Sequence, residues 1–123
     1  MAFINFETKN NFSSTLYTGN TPGQSITGVG FRTDFTWFKG RVGGGYDHSL
    51  RDILRGTLKH ISTDASSAES DAANSVSSFD ADGFTLGTDN RSFVNENNTP
   101  YVSWSWLAAG TAPSNTYVVK VVS

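Results

Sequence analysis

The residues of this chain that could do chemistry are few, and their spacing mostly works against them. Tyr46-Asp-His-Ser49 sets the Ser, His and Asp of a hydrolase triad side by side. Successive side chains of a strand point to opposite faces, so Asp47 and Ser49 would turn away from His48. A working triad converges in space from distant segments. His48 and His60, with Asp47, Asp52 or Asp64, are metal-ligating types, but no H-x-x-x-H or H-E-x-x-H spacing is present. Asp80-Ala-Asp-Gly83 opens like a calcium loop, yet Thr85 and Arg91 stand where an EF-hand needs Gly and Glu. Calcium held by Asp80, Asp82 or Asp89 with backbone carbonyls is the one cofactor these residue types leave open; no other cofactor is expected. Gly28-Val-Gly-Phe-Arg-Thr33 lacks the third glycine of a dinucleotide loop, and Gly43–Gly45 lacks the Lys of a phosphate loop. Glu96 with Asp89 matches a glycosidase pair by residue type alone. The expectation is a protein that is not an enzyme.

Binding chemistry is better represented. Trp37, Tyr46, Tyr101, Trp104 and Trp106 could stack on the C–H faces of sugar rings. The default place for a strand tryptophan is the core, so Trp104 and Trp106 are expected inside. Exposed anchors are then expected among aromatics of the other parity or in loops: Phe38, Tyr101 and Phe93. Asn90, Phe93, Asn95, Asn97, Asn98 and Tyr101 form the expected ligand-binding loop, a ring beside amide hydrogen-bonding groups.

The elements that position these residues read as strands. Val102-Ser-Trp-Ser-Trp-Leu107 alternates apolar and polar, and Phe31, Phe35 and Trp37 share a parity. Strands are expected over 25–31, 33–41, 46–54, 58–62, 101–108 and 117–122. Phe79-Asp-Ala-Asp-Gly-Phe84 predicts a hairpin turned at Asp-Gly. Ala65, Ala68, Ala72 and Ala73 have loosely helical spacing, but the side chains are small and 64–75 reads as a surface loop. Residues 1–16 are expected to form an N-terminal arm, clipped down by Phe3 and Phe6, ahead of a domain over 17–123.

The 123 residues suit one domain. Nine Phe against one Met, 13 % aromatic and 16 % charged residues, describe short strands joined by turns rather than helices. The fold class expected is all-β: an antiparallel β-sandwich or jelly-roll with little helix. A net charge of −2 without a basic patch argues against nucleic acid. With no cysteine there is neither a disulfide nor a thiolate site. No apolar run is long enough for a membrane span, and no secretory leader is evident, so synthesis in a cytoplasm without membrane insertion is expected.

Several blocks carry a resemblance in the same order from about residue 17 to the end. They are Tyr17-Thr-Gly-Asn20, Gly28-Val-Gly-Phe-Arg-Thr-Asp-Phe-Thr-Trp-Phe-Lys39, Leu54-Arg-Gly56, Ser78-Phe-Asp-Ala-Asp-Gly-Phe-Thr-Leu-Gly87 and Tyr101-Val-Ser-Trp-Ser-Trp106. Together they resemble a module of tailed bacteriophages, marine ones especially, found in uncharacterised virion, tail-fibre and structural proteins. The resemblance implies a lectin-like or laminin-G-like sandwich on the virion, as capsid decoration or tail-fibre component. Its partners would be other virion proteins and further copies of itself, and host surface glycans if it is instead a carbohydrate-binding adhesion module. The strand that the family often writes Trp-Cys-Trp-Lys reads Trp104-Ser-Trp-Leu107 here. The family brings no catalytic residues to carry over.

Overall fold

The computed structural model describes residues 8–42, 46–89 and 93–108. Phe3, Phe6, the Gly43–Gly45 turn, Asn90 and the expected strand over 117–122 lie outside them. Among the described residues a 3-10 turn, Thr8–Asn10, leads into nine strands: β1 Phe12–Thr18, β2 Gln24–Ile26, β3 Phe35–Gly40, β4 Ser49–Asp52, β5 Lys59–His60, β6 Ser70–Asp71, β7 Val76–Asp80, β8 Gly83–Leu86 and β9 Pro100–Trp106.

Two antiparallel sheets make a sandwich. One has the order β1-β9-β3-β4, the other β2-β8-β7, and a small β5-β6 pair joins the first through an antiparallel bridge between Leu50 and Ile61. The sheets meet where Phe38 of β3 stands on edge against Phe84 of β8, centroids 5.0 Å apart at 87°. Ile26, Val76, Leu86, Val94 and Phe93 close the core around them. The expected all-β sandwich is what the chain forms.

The β7–β8 hairpin pairs Asp80 with Gly83, leaving Ala81-Asp82 as its two-residue turn. Gly83 has a φ of +151°, and a Cβ there would lie 1.9 Å from the Ile26 carbonyl oxygen, so only glycine lets β2 approach β8 this closely. Gly19 is under the same constraint, since its Cβ would meet the Glu96 carbonyl oxygen at 1.9 Å.

Three expected element bounds need correction. The N-terminal arm does not extend to residue 16, because Phe12–Thr18 is a full strand paired along its length with β9. Its partner lies at the far end of the chain, and an alternation this short and polar gains its strand character from that pairing. Residues 25–31 are strand only over Gln24–Ile26; Val29 and Phe31 are buried from the following loop instead. In the 46–54 segment only Ser49–Asp52 is strand, and its buried members are Ser49 and Arg51, not the apolar Leu50.

Candidate functional site

The largest correction concerns which face of the four-stranded sheet is inside. Along β9 the buried residues are Tyr101, Ser103 and Ser105, while Trp104 and Trp106 are half-buried on the other face. Along β3 Thr36 and Phe38 are buried, while Phe35 and Trp37 face outward. The serines and threonines therefore line the interior. Their small side chains share that interior with Phe38, which reaches Phe84 of the second sheet, and with the buried Tyr101 and Arg51.

Strand register then assembles the outer face row by row. Phe12 lies opposite Trp106, and Trp106 opposite Phe35. Ser14 lies opposite Trp104, Trp104 opposite Trp37, and Trp37 opposite Leu50. Rings along these rows are in tilted contact, with Trp37 and Trp104 edge to face. Phe12–Trp106 centroids are 5.0 Å apart, Phe35–Trp106 5.2 Å, Trp37–Trp104 5.6 Å and Trp37–His48 5.5 Å. All three tryptophans of the chain stand on this face. Leu16, 63 % exposed, and Phe12, 40 % exposed, extend it to the β1 edge.

Polar groups frame the aromatic rows. Trp37 Nε1 donates to His48 Nδ1 at 2.7 Å, which places the proton of the neutral imidazole on Nε2, pointing away from the indole. Asp64 holds the segment in place by accepting the His48 backbone N–H at 3.0 Å. At the other side Asp52 is paired with Arg55. Burial would raise the Asp52 carboxyl, but the N–H and guanidinium of Arg55 outweigh it and hold the group below the usual carboxylate range. Lys39 donates to the Tyr46 carbonyl. The face can stack on flat or C–H-rich surfaces and offers hydrogen bonds at its rim, the equipment of a contact surface.

The loop expected to bind ligand is built otherwise. Phe93 is buried and packs on His60, centroids 4.4 Å apart. Tyr101 is fully buried, stacks on Tyr17 at 5.4 Å and accepts the Glu96 N–H through its hydroxyl at 3.1 Å. Burial drives the phenols of both Tyr17 and Tyr101 upward. Asn95 is fully buried with its amide saturated. Its Oδ1 accepts from the Asn20 N–H at 2.8 Å and Gln24 Nε2 at 2.9 Å, and its Nδ2 donates to the Asn20 carbonyl at 3.0 Å and the Gly87 carbonyl at 2.7 Å. These three residues hold the loop to the body instead of presenting a ligand surface. Phe38, the other expected anchor, is also fully buried. Only Asn97 and Asn98 of the described set are exposed, and Asn98 sits in a left-handed turn with φ +61°.

The remaining chemical candidates are occupied by structural bonds. Ser49 is buried and accepts from Arg51 Nε at 3.0 Å, on the face opposite His48. Asp89 accepts Ser75 Oγ at 2.8 Å on one oxygen, and the N–H groups of Val94 and Asn95, both at 2.6 Å, on the other. Asp80 accepts from Ser78 and Thr85, and Asp82 accepts the N–H groups of Gly28 and Gly30. Glu96 accepts from the Tyr46 and Thr99 hydroxyls. Among the described residues no three His, Asp or Glu side chains gather as a metal site would require. Arg51 is fully buried, donates to the Thr57 carbonyl at 2.8 Å, and leaves Nη2 without a partner. Burial lowers its pKa to about 10, partly opposed by Asp89.

A model described as a domain of unknown function, DUF7483, matches residues 7–123. The chain belongs to the DUF7483 family. No curated protein and no solved structure gives a match. The DUF7483 match spans all nine strands, so the sandwich and its outer face fall within the family's bounds.

Proposed function

We propose that this DUF7483 chain is a structural module of a bacteriophage particle, a capsid decoration or a tail or fibre component that acts by assembly and display rather than by catalysis. The observation that carries the reading is the outer face of the four-stranded sheet. Monomeric proteins seldom leave a contiguous aromatic surface to water, and such a patch rimmed by polar groups is the usual mark of a contact site. Trp, Tyr and Phe also dominate interface energetics. Its partners are then other virion proteins and further copies of the chain, and its place is the virion. The resemblance of the 17–106 blocks to phage virion modules points the same way.

The same face favours a second reading. Half-exposed indoles beside Ser14, His48, Lys39 and Asp52 are what a carbohydrate-binding adhesion module uses to hold host surface glycans. Immunogold electron microscopy of purified particles, with antibody raised against this domain, tests the first reading. Label over the head or along the tail is the expected result, and intact particles without label would overturn it. A glycan array probed with the isolated chain tests the second, with Trp104→Ala as the variant that abolishes any signal.

A further inference from the structure

The free side of β1 has a pattern that fits itself. Leu107 N–H donates to the Asn11 carbonyl at 2.9 Å, and the register then pairs Ser13 with Ser105, Thr15 with Ser103 and Tyr17 with Tyr101. In an antiparallel ladder, residues facing each other alternate between bonded and non-bonded pairs. The odd-numbered residues of β1 therefore exchange hydrogen bonds with β9. Trp106 confirms the phase, because its carbonyl accepts from Asp34 on the β3 side at 3.1 Å. The N–H and C=O groups of Phe12, Ser14, Leu16 and Thr18 consequently point out of the sheet edge. Gln24 Nε2 donates to the Thr18 carbonyl at 2.6 Å. No described strand pairs with the remainder.

Natural edges are usually blunted with charge, proline, a bulge or a short strand. Phe-Ser-Ser-Thr-Leu-Tyr-Thr has seven residues, no charge and no proline, and its register to β9 is unbroken. We propose that β1 is where two copies of this chain pair, edge to edge and antiparallel, about a two-fold axis beside Ser14. This deepens the assembly reading above by naming the homo-oligomeric contact. In that register Ser14 faces Ser14 of the partner subunit, and Phe12 faces Leu16 of the partner subunit. Each of these pairs can exchange N–H···O=C bonds in both directions, and the engaged Thr18 carbonyl is not needed. The exposed apolar residues of the edge cover each other, while on the inner side Ser13 meets Thr15 of the partner subunit, a hydroxyl pair. No like charges meet across the axis, and the aromatic faces of the two copies join into one surface. Shifting the strands by one residue would set the free groups of one copy against the engaged groups of the other.

Seven residues a side is well short of the roughly 20–30 of a standard interface. The isolated dimer is therefore weak, and many copies on a particle would supply the avidity. Sedimentation velocity of the full chain across a concentration series should show a reversible monomer–dimer equilibrium. Ser14→Cys should cross-link to itself under mild oxidation, since bonded antiparallel pairs have Cα atoms about 5.5 Å apart, within disulfide range. The chain has no other cysteine, and Ser67→Cys, on an exposed loop, serves as the control that should not cross-link. Ser14→Pro removes an outward N–H and should leave a folded monomer. Leu16→Lys, at an exposed position, should do the same through charge if the proline variant fails to fold. Sedimentation as a monomer throughout, with Ser14→Cys no faster to cross-link than Ser67→Cys, would overturn the proposal, as would a dimer unaffected by either β1 substitution. A monomer that still labels particles would overturn the edge contact alone; a dimer absent from particles would overturn the assembly reading alone.

Discussion

Asn95 shows how a residue chosen for its chemistry can turn out to be fastened in place. Each of its amide valences is spent on Asn20, Gln24 or Gly87. Asn95→Ala should cost about 2–4 kcal/mol in thermal or denaturant unfolding, because buried groups left without a partner cost about 1–3 kcal/mol each. Asn95→Asp should also destabilise, since a carboxylate can still accept from Asn20 and Gln24 but faces the carbonyls of Asn20 and Gly87 with nothing to donate. Asp82 makes a contrasting case at the surface. The N–H groups of Gly30 and Gly28 hold its carboxyl below the usual aspartate range. A depressed folded pKa contributes stability above the unfolded value and loses it as pH falls through the folded one. Protection of the Gly28 and Gly30 amides relative to their intrinsic exchange rates, followed by NMR, should therefore fall in acid, and Asp82→Asn should remove that fall.

At the scale of elements, the strands were largely readable and the faces were not. The alternation in Val102–Trp106 and Phe35–Phe38 gives β9 and β3, and Asp-Gly between two aromatics gives the β7–β8 hairpin, although its turn falls one residue earlier than expected, at Ala81-Asp82, with Gly83 opening β8. Alternation fixes that a strand has two faces but does not say which is covered. Trp104 and Trp106 outweigh Ser103 and Ser105 in hydrophobicity, and β3 offers a large ring on both sides, Trp37 on one and Phe38 on the other. The deciding contact is Phe38 with Phe84, which depends on a pairing of sheets that no local window contains. The same holds for β1, whose partner is distant, and for the Asn-rich loop, whose Asn95 is called inward by Asn20 and Gly87. The cost of truncation should follow the observed faces. Phe38→Ala should lose about 3–5 kcal/mol, as expected for a buried aromatic ring. Trp104→Ala, on the outer face, should lose about 1–2 kcal/mol in the same denaturant titration, while removing the centre of the contact surface.

As a whole molecule, the chain joins a polar-lined interior to an aromatic exterior on one sheet, the reverse of the usual allocation. Ser103 Oγ, Asp34 Oδ2 and Arg51 Nη2 are buried without a partner on the inner side. That interior is expensive to bury, and the aromatic face outside is expensive to leave wet. An arrangement of this kind makes sense for a module whose outer face is covered when it works, as the assembly reading requires. Hydroxyl-radical footprinting of the free chain and of the particle-bound chain tests this most directly. In the free chain Trp37, Trp104 and Trp106 should all be oxidised, and on the particle they should be protected while exposed loop residues such as Leu54 and Leu58 still react. Tryptophans already protected in the free chain, or oxidised equally in both states, would contradict the account.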